Sequence, residues 1–315
     1  MERKQTKLPM KHIYVVNPQA GGHDRSEFIA ESLREIEVET EIYVTRGPRD
    51  ATRYVAERCK EGGDFRFYAC GGDGTLNEVV TGVMQAKQNA EHCVLNTEVG
   101  CYPCGSGNDY VKNWPTVDFT DIKGQTAGVA VPVDVMRFGD RYSVNTLNFG
   151  FEAAVCRTMA DVRRKPVIGG RMAYTTGIVK SLATGRHNYC RVEVDGERWY
   201  DGDLLLLSLA NGQYAGGGYH CAPRAVVDDG QVEVLAVKPM SIASFARLIK
   251  YYENGELIDR PELRNVVSYR RGRRVVIEAG GPSFVATDGE LVEGHRFEAE
   301  CLHNAIDFVI PQSLS

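Results

Sequence analysis

An α/β domain followed by an antiparallel β-sandwich is the fold class this sequence predicts, and two observations carry it. The first third of the chain alternates short apolar runs with helix-period segments in the order βαβαβα. That order implies a parallel sheet with helices on its faces. From about Val129 onward short alternating runs dominate instead, several of them separated by turn residues such as Asp195-Gly196 and Asp229-Gly230. That is the texture of antiparallel strands in a sandwich or barrel.

The elements follow in order. Residues 13–16 form a first apolar strand, which ends in Asn17-Pro18-Gln19-Ala20-Gly21-Gly22. Ile29, Leu33 and Ile36 mark one face of a helix, and residues 41–45 form a second strand. Asp50 is placed to cap a helix whose inner side holds Ala51, Tyr54, Val55 and Cys59. Residues 65–70 alternate and are rich in aromatics, as a strand should be. Leu76, Val79, Val80 and Val83 then recur at i, i+3, i+4 and i+7, one helix face. Residues 99–102 give a fourth strand. Further strands are predicted at 131–136, 142–148, 191–194, 203–210, 232–237, 274–278 and 297–301, with a helical insert at 171–183 and another helix starting near Ser241.

Composition narrows the class. A chain of 315 residues accommodates one large or two ordinary domains. A net charge of −5 gives no reason to propose nucleic acid as a partner. The longest apolar run, residues 204–209, suits a buried strand and is too short to span a bilayer. Arg3, Lys4 and Lys7 have no hydrophobic core behind them, so no signal peptide is expected. Nine cysteines, an odd and scattered set, suggest a reducing, cytoplasmic compartment. Cys101-x-x-Cys104 is a lone pair without a second pair, and is expected to be two ordinary thiols rather than a zinc site.

Chemistry concentrates in three glycine-bearing loops at the carboxyl ends of predicted strands: Asn17 to Gly22, Gly71-Gly72-Asp73-Gly74-Thr75, and Gly105-Ser106-Gly107-Asn108-Asp109. A glycine-rich strand-to-helix junction points backbone N–H groups at what lies above it, and phosphate is the usual guest. Asp73 between glycines at a strand tip has little structural work to do; coordinating Mg²⁺ near phosphate is the better reading. Thr75-x-x-Glu78 fits a capping box, in which the Thr75 hydroxyl accepts the Glu78 N–H and the Glu78 carboxylate reaches back. Glu78 is therefore open to two readings, helix cap or nucleotide-site residue.

Together these motifs resemble the diacylglycerol kinase catalytic-domain family, in its compact bacterial soluble lipid kinase form. Asn17-Pro18 with Gly21-Gly22, the Gly71 to Glu78 segment and the Gly105 to Asp109 loop occur in the family's order. So do Val133-Asp134, Asn148-Phe149-Gly150-Phe151, Gly216-Gly217-Gly218, Ala222-Pro223-Arg224-Ala225 with Asp228-Asp229-Gly230, and Asp288-Gly289-Glu290. Two departures stand out: Tyr102-Pro103-Cys104 ahead of Gly105, and Tyr110-Val111-Lys112 after Asp109.

The resemblance implies an α/β ATP-binding domain at 1–127, rejoined by about 303–315, and a β-sandwich lipid-substrate domain at 128–302. It implies ATP-dependent phosphorylation of a lipid hydroxyl, diacylglycerol first, with phosphatidylglycerol and sphingoid bases open. Asn17, Gly72, Gly74, Thr75, Ser106 and Asn108 would line the ATP site, with Gly21, Gly71, Glu78 and Gly107 beside them and Thr45 at the second strand's end. Asp73, Asp109 and Asp134 would hold Mg²⁺ and its waters. Asp288, with Glu290 beside it, matches the general base. The carbonyls of Val226 and Gln231 with the Asp229 carboxylate match a second, structural metal position. From the residues alone, Asp288-Gly289 and Asp228-Asp229-Gly230 read as hairpin turns and Asp134 as a strand-end carboxylate pairing with a base.

A peripheral visit to a membrane surface is expected; Arg270-Arg271-Gly272-Arg273-Arg274 and Arg163-Arg164-Lys165 read first as a solvated turn and a solvated helix end, with anionic headgroup contact as the alternative. A homodimer is left open. NAD kinases and 6-phosphofructokinases share the glycine-aspartate-glycine signature, and a non-catalytic nucleotide- or lipid-binding protein is the alternative of another class.

Overall fold

The computed structural model describes residues 10–89, 96–150, 188–287 and 290–312, without the side chains of Asn89, Ile242, Thr287 and Glu290. The chain divides into two compact units, Met1–Val133 with Asn304–Ser315, and Asp134–His303.

The first unit is built on parallel pairing. Its strands are β1 (Lys11–Val16), β2 (Thr40–Val44), β3 (Phe65–Gly71) and β4 (Thr97–Pro103). Its helices are α1 (Ser26–Leu33), α2 (Asp50–Lys60), α3 (Asp73–Asn89) and the short α4 (Ile122–Thr126). The order across the sheet is β4-β3-β1-β2, and the end of the chain adds one more parallel strand beside β4 through Asp307↔Glu98 and Phe308↔Val99. Ile13, Tyr14, Val15 and Val16 are all fully buried, as they must be in a strand covered on both faces. Of the helix faces read from the sequence, Ile29 and Leu33 on α1, Ala51, Val55 and Cys59 on α2, and Leu76, Val79, Val80 and Val83 on α3 are buried, whereas Tyr54 is half-buried and Ile36 falls past the end of α1. From β1 the chain moves to one side to form β2 and then to the other to form β3. The carboxyl ends of β1 and β3 thus flank the point where the order reverses, the usual crevice for a ligand in such sheets.

The second unit is antiparallel. It contains β5 (Val129–Phe138, from Asp134 on), β6 (Arg141–Ser143), β7 (Thr146–Gly150), β8 (Asn188–Val194), β9 (Glu197–Leu204), β10 (Leu206–Ala210), β11 (Val232–Val237), α5 (Ile242–Glu253), β12 (Val267–Gly272), β13 (Arg274–Thr287) and β14 (Glu290–Ile310, up to His303). The sheet order is β12-β11-β10-β7-β13-β14. β13 changes partner along its length: Val275 to Ala279 pair with β8, whereas Val285 to Thr287 pair with β7. The change falls where its register with β14 shifts, between Glu278 and Ser283, over Gly280-Gly281-Pro282. A bend of this kind turns the corner of a sandwich. One core lies among Phe149, Leu207, Leu209, Val234, Ile277 and Phe297. A second, on the other side of β10 and β11, is closed by Phe245, Leu248 and Tyr252 of α5. Ser241 caps α5, its hydroxyl accepting the Ser244 N–H at 3.1 Å.

Several sequence expectations are corrected. Residues 142–148 are two strands, broken at Val144-Asn145, and 203–210 is broken at Leu205, whose N–H donates to the Val237 carbonyl at 2.8 Å. β12 and the start of β9 were not anticipated; neither carries a clean apolar alternation. Asp50 is the first residue of α2 rather than its cap, and its carboxylate accepts from the Arg46 N–H at 2.8 Å and the Tyr43 hydroxyl at 2.9 Å. Asp195-Gly196 is the tight hairpin expected: φ is +52° and +81°, and Val194 pairs with Glu197. The insert at 171–183 lies outside the described residues.

Candidate active site

Three loops meet above the carboxyl ends of β1, β3 and β4. Asn17, just past β1, donates its N–H to the Cys70 carbonyl at 2.9 Å and its amide Nδ2 to the Thr75 hydroxyl at 3.1 Å. Its Oδ1 accepts the Gln19 N–H at 3.0 Å, which turns the chain toward Gly21. Gly21 sits at φ +63° against the Cys104 carbonyl. Thr45 follows β2, buried, with its N–H on the Val16 carbonyl at 2.8 Å. Gly72 and Gly105 pack backbone on backbone, since a Cβ on Gly105 would stand 2.3 Å from the Gly72 Cα. The loop is then closed by Asn108, at φ +52°, which accepts the Gly105 N–H at 2.9 Å and donates to the Gly105 carbonyl at 3.0 Å. Asn tolerates the left-handed region better than most residues, so one side chain both makes the turn and ties it. Gly71 lies buried beside Thr75, and Gly74 and Ser106 are exposed at the loop tips.

Asp73 and Asp109 come together here. Asp73 Oδ1 accepts the N–H of Asp109 at 2.7 Å and of Tyr110 at 3.1 Å, which anchors the start of the 3-10 helix Tyr110–Asn113. The other oxygens of the pair border one space: a Cβ on Gly107 would stand 2.9 Å from Asp73 Oδ2 and 3.4 Å from Asp109 Oδ2. The missing methyl leaves that space open. Removal from water, and then the charge of Asp109, raise the Asp73 carboxyl above the usual carboxylate range. Two hard anionic oxygens, one beside the other, are a donor set that fits Mg²⁺.

Glu78 is a cap, but not in the box its spacing suggests. Its Oε1 accepts the Arg49 N–H at 3.0 Å and its Oε2 the Ala51 N–H at 3.3 Å, so it caps α2 from α3. The Thr75 hydroxyl takes the Asn17 amide instead of the Glu78 N–H.

The remaining candidates lie in the second unit. Asp134 is fully buried; Oδ2 accepts the Gly230 N–H at 2.6 Å and Oδ1 is 2.9 Å from His303 Nδ1. This is the pairing with a base that the residues alone suggested. Asp229 accepts the Gln231 N–H on Oδ1 at 3.1 Å and forms an ion pair through Oδ2 with Arg271. Each of its oxygens thus has a protein partner, and the Arg271 guanidinium supplies a positive charge where the resemblance implied a second cation with the carbonyls of Val226 and Gln231. Asp228-Asp229-Gly230 closes a long loop between β10 and β11, rather than a two-residue hairpin. Thr287 of β13 pairs with Glu290 of β14; Asp288 and Gly289, which join them, lie outside the described residues, as do Arg163, Arg164 and Lys165. The arginines of the other basic cluster are paired: Arg270 with Glu197, Arg271 with Asp229 and Glu233, Arg273 with Glu300, and Arg274 with Glu298.

Sequence reasoning did not anticipate Lys112, His303 and Arg271 as the partners of Asp109, Asp134 and Asp229. Lys112, three residues after Asp109, was within reach of local spacing. His303 and Arg271 were not, because they meet Asp134 and Asp229 from far along the chain.

Two family matches cover this architecture. Residues 11–138 match the diacylglycerol kinase catalytic domain, and residues 145–310 match the YegS C-terminal NAD kinase beta sandwich-like domain. The chain belongs to the YegS-like lipid kinases of the diacylglycerol kinase family. A probable lipid kinase YegS-like protein of Chromohalobacter salexigens is 31% identical over 86% of this chain and 84% of its own. Another, from Serratia proteamaculans, is 27% identical over 96% and 95%. The crystal structure of a putative diacylglycerol kinase from Bacillus anthracis superposes with a TM-score of 0.70 at 22% identity, over 95% of this chain and 96% of that one. The last match shows shared fold. Membership makes the protein an enzyme, a kinase that uses ATP. No helix among the described residues is long and apolar enough to cross a membrane.

Proposed function

We propose that the protein transfers the γ-phosphate of ATP to a lipid hydroxyl, with diacylglycerol as the acceptor and phosphatidic acid as the product. The observation that carries this reading is the convergence of Asp73 and Asp109 on the space above Gly107, between glycine loops. Phosphoryl transfer asks for positioning, charge neutralisation and a proton acceptor. Gly72, Gly74, Ser106, Gly107 and Asn108 position the phosphates through their backbone, with Gly21, Gly71, Thr45, Thr75 and Asn17 forming the floor. Asp73 and Asp109 would hold Mg²⁺, which would neutralise the phosphate oxygens. Asp134, the third carboxylate the family resemblance implies for Mg²⁺, remains part of this reading. Asp288, with Glu290 beside it, accepts the proton of the attacking hydroxyl. The enzyme works in the cytoplasm and visits the bilayer surface transiently; Arg270, Arg271, Arg273 and Arg274 are engaged in ion pairs.

Transfer of label from ATP in the presence of Mg²⁺ tests the proposal, with diacylglycerol, phosphatidylglycerol, sphingosine and ceramide in mixed micelles, NAD in solution, and Asp288→Asn as the blank. Labelled phosphatidic acid absent from the blank is the expected result. Label on another lipid alone would replace the acceptor, and label on NAD alone would overturn the lipid reading.

A further inference from the structure

The carboxylate pair carries a cation of its own. Lys112 Nζ donates to Asp109 Oδ1 at 2.5 Å and to the Gly107 carbonyl at 2.8 Å. It stands in the 3-10 helix whose first N–H groups Asp73 accepts, so one ammonium ties Asp109, the Gly107 loop and this helix together. The Lys112 side chain is one-third exposed while that of Asp109 is 7% exposed. The anion is sequestered and the cation has a way out to solvent. Two aspartates and one lysine leave a net charge of −1 where a bare pair would carry −2.

We propose that Lys112 is the resident counter-cation of the Asp73/Asp109 pair, in place while nucleotide is absent, so that a divalent cation binds well only together with ATP. The inference rests on the reading that this pair takes a divalent cation. Two carboxylates whose second oxygens border one space repel each other. Left bare, they would also attract any free divalent ion strongly, because a unit charge a few ångströms away in a partly buried site changes affinity by about tenfold or more. Lys112 removes most of that attraction while keeping Asp109 oriented. Its length matters less than its charge, and it acts through Asp109 rather than on the phosphates. It is a positioning residue.

The test is Mn²⁺ binding to the nucleotide-free protein, followed by electron paramagnetic resonance of the free ion. Lys112→Met is expected to bind Mn²⁺ about tenfold or more tightly than the parent, and Lys112→Arg to bind as weakly as the parent. Lys112→Gln keeps a hydrogen-bond donor for the Gly107 carbonyl and removes only the charge, so it should tighten binding too, and it serves if the methionine variant does not fold. A lysine that merely braced the loop would give variants that bind Mn²⁺ equally or more weakly, and that result overturns the proposal. Asp109→Asn separates the two levels. If it abolishes Mn²⁺ binding while Lys112→Met and Lys112→Gln change nothing, only the Lys112 assignment falls. If it changes nothing either, the cation reading of the pair falls with it.

Discussion

Lys112 in the first unit and Arg271 in the second each sit against an aspartate that the sequence marks for a cation, and they engage it with different completeness. Lys112 takes one oxygen of Asp109 and a loop carbonyl, and the second oxygens of Asp73 and Asp109 still face one space. Arg271 takes Asp229 Oδ2 while the Gln231 N–H takes Oδ1, and the Arg271 Nε lies 2.8 Å from Glu233 Oε1. Glu233 is its direct cross-strand neighbour in β11 and is only 3% exposed. A flexible ammonium at a loop can yield to a stronger cation, whereas a guanidinium held in a strand between two carboxylates is itself the cation. The same residue chemistry therefore makes one position a candidate for catalysis and the other a structural ion pair.

The largest expected effect tests the first side of that contrast. Asp73→Asn should lower the rate of phosphate transfer by roughly 10²–10³-fold, the loss expected when a cation worth several kcal/mol to the transition state loses a ligand. The melting temperature should change little, because the amide oxygen can still accept the Asp109 and Tyr110 N–H groups. Transfer at the parent rate would remove Asp73 from the site.

Acid should strain the first unit through a different group. His12 is 6% exposed, its Nδ1 lies 2.9 Å from the Tyr68 hydroxyl, and its ring stacks on Tyr68. Burial, and then the charge of Arg66, push its pKa down from 6.5 to about 4. The unfolded chain therefore binds a proton between these values that the folded chain refuses. Stability is fully present above pH 6.5 and declines as pH falls toward 4, by about 3 kcal/mol over the window. Glu233 in the second unit works in the opposite sense, since burial raises its carboxyl and acid relieves it. His12→Gln should flatten the acid limb of a chemical denaturation series. An unchanged slope in that variant would show that another group governs the acid limb.

On the second side, Arg271→Met should destabilise the protein by about 2 kcal/mol, below the 3–5 typical of broken buried pairs because the arginine is partly exposed. That is a fall of roughly 5 °C in melting temperature. The nucleotide-free parent should melt at the same temperature with and without a chelator. A chelator-dependent fall would restore a metal to Asp229 and undo the contrast with Lys112.

What was legible in the sequence was what local patterning controls. β1 could be read because a strand covered on both faces must be continuously apolar. α3 could be read because its buried face repeats every three to four residues, and the glycine loops because close backbone approach admits no side chain. β12 was not legible: Val267-Ser268-Tyr269-Arg270-Arg271-Gly272 shows no apolar face, since Arg270 and Arg271 pair with Glu197 and with Asp229 and Glu233 rather than with hydrophobic neighbours. Read locally, that polarity looks like a solvated turn. The partners of Asp134 were hidden for the same reason, His303 being 169 residues away. A carboxylate announces that it needs a partner; only the fold supplies which one.

Glu78 is where local and long-range readings met and the long-range one won. The spacing from Thr75 satisfies a capping box, yet in a box the threonine would be the cap of α3, and here it lies inside the helix with its hydroxyl turned to Asn17. The N-terminus of α2 offers two unsatisfied N–H groups and no side-chain cap of its own, because Arg49 at that position is left-handed and makes no such bond. Glu78 serves both groups, a stronger use of a carboxylate than reaching back to a single N–H. Glu78→Ala should thus cost about 1 kcal/mol, the usual size of a lost cap, while Glu78→Gln keeps one acceptor and should lose less. ATP affinity should be nearly unchanged in Glu78→Gln, because its carboxylate is turned toward α2 rather than the glycine loops. Loss of ATP binding in that variant at an unaltered melting temperature would return Glu78 to the nucleotide site and show that the second of its two original readings was the right one.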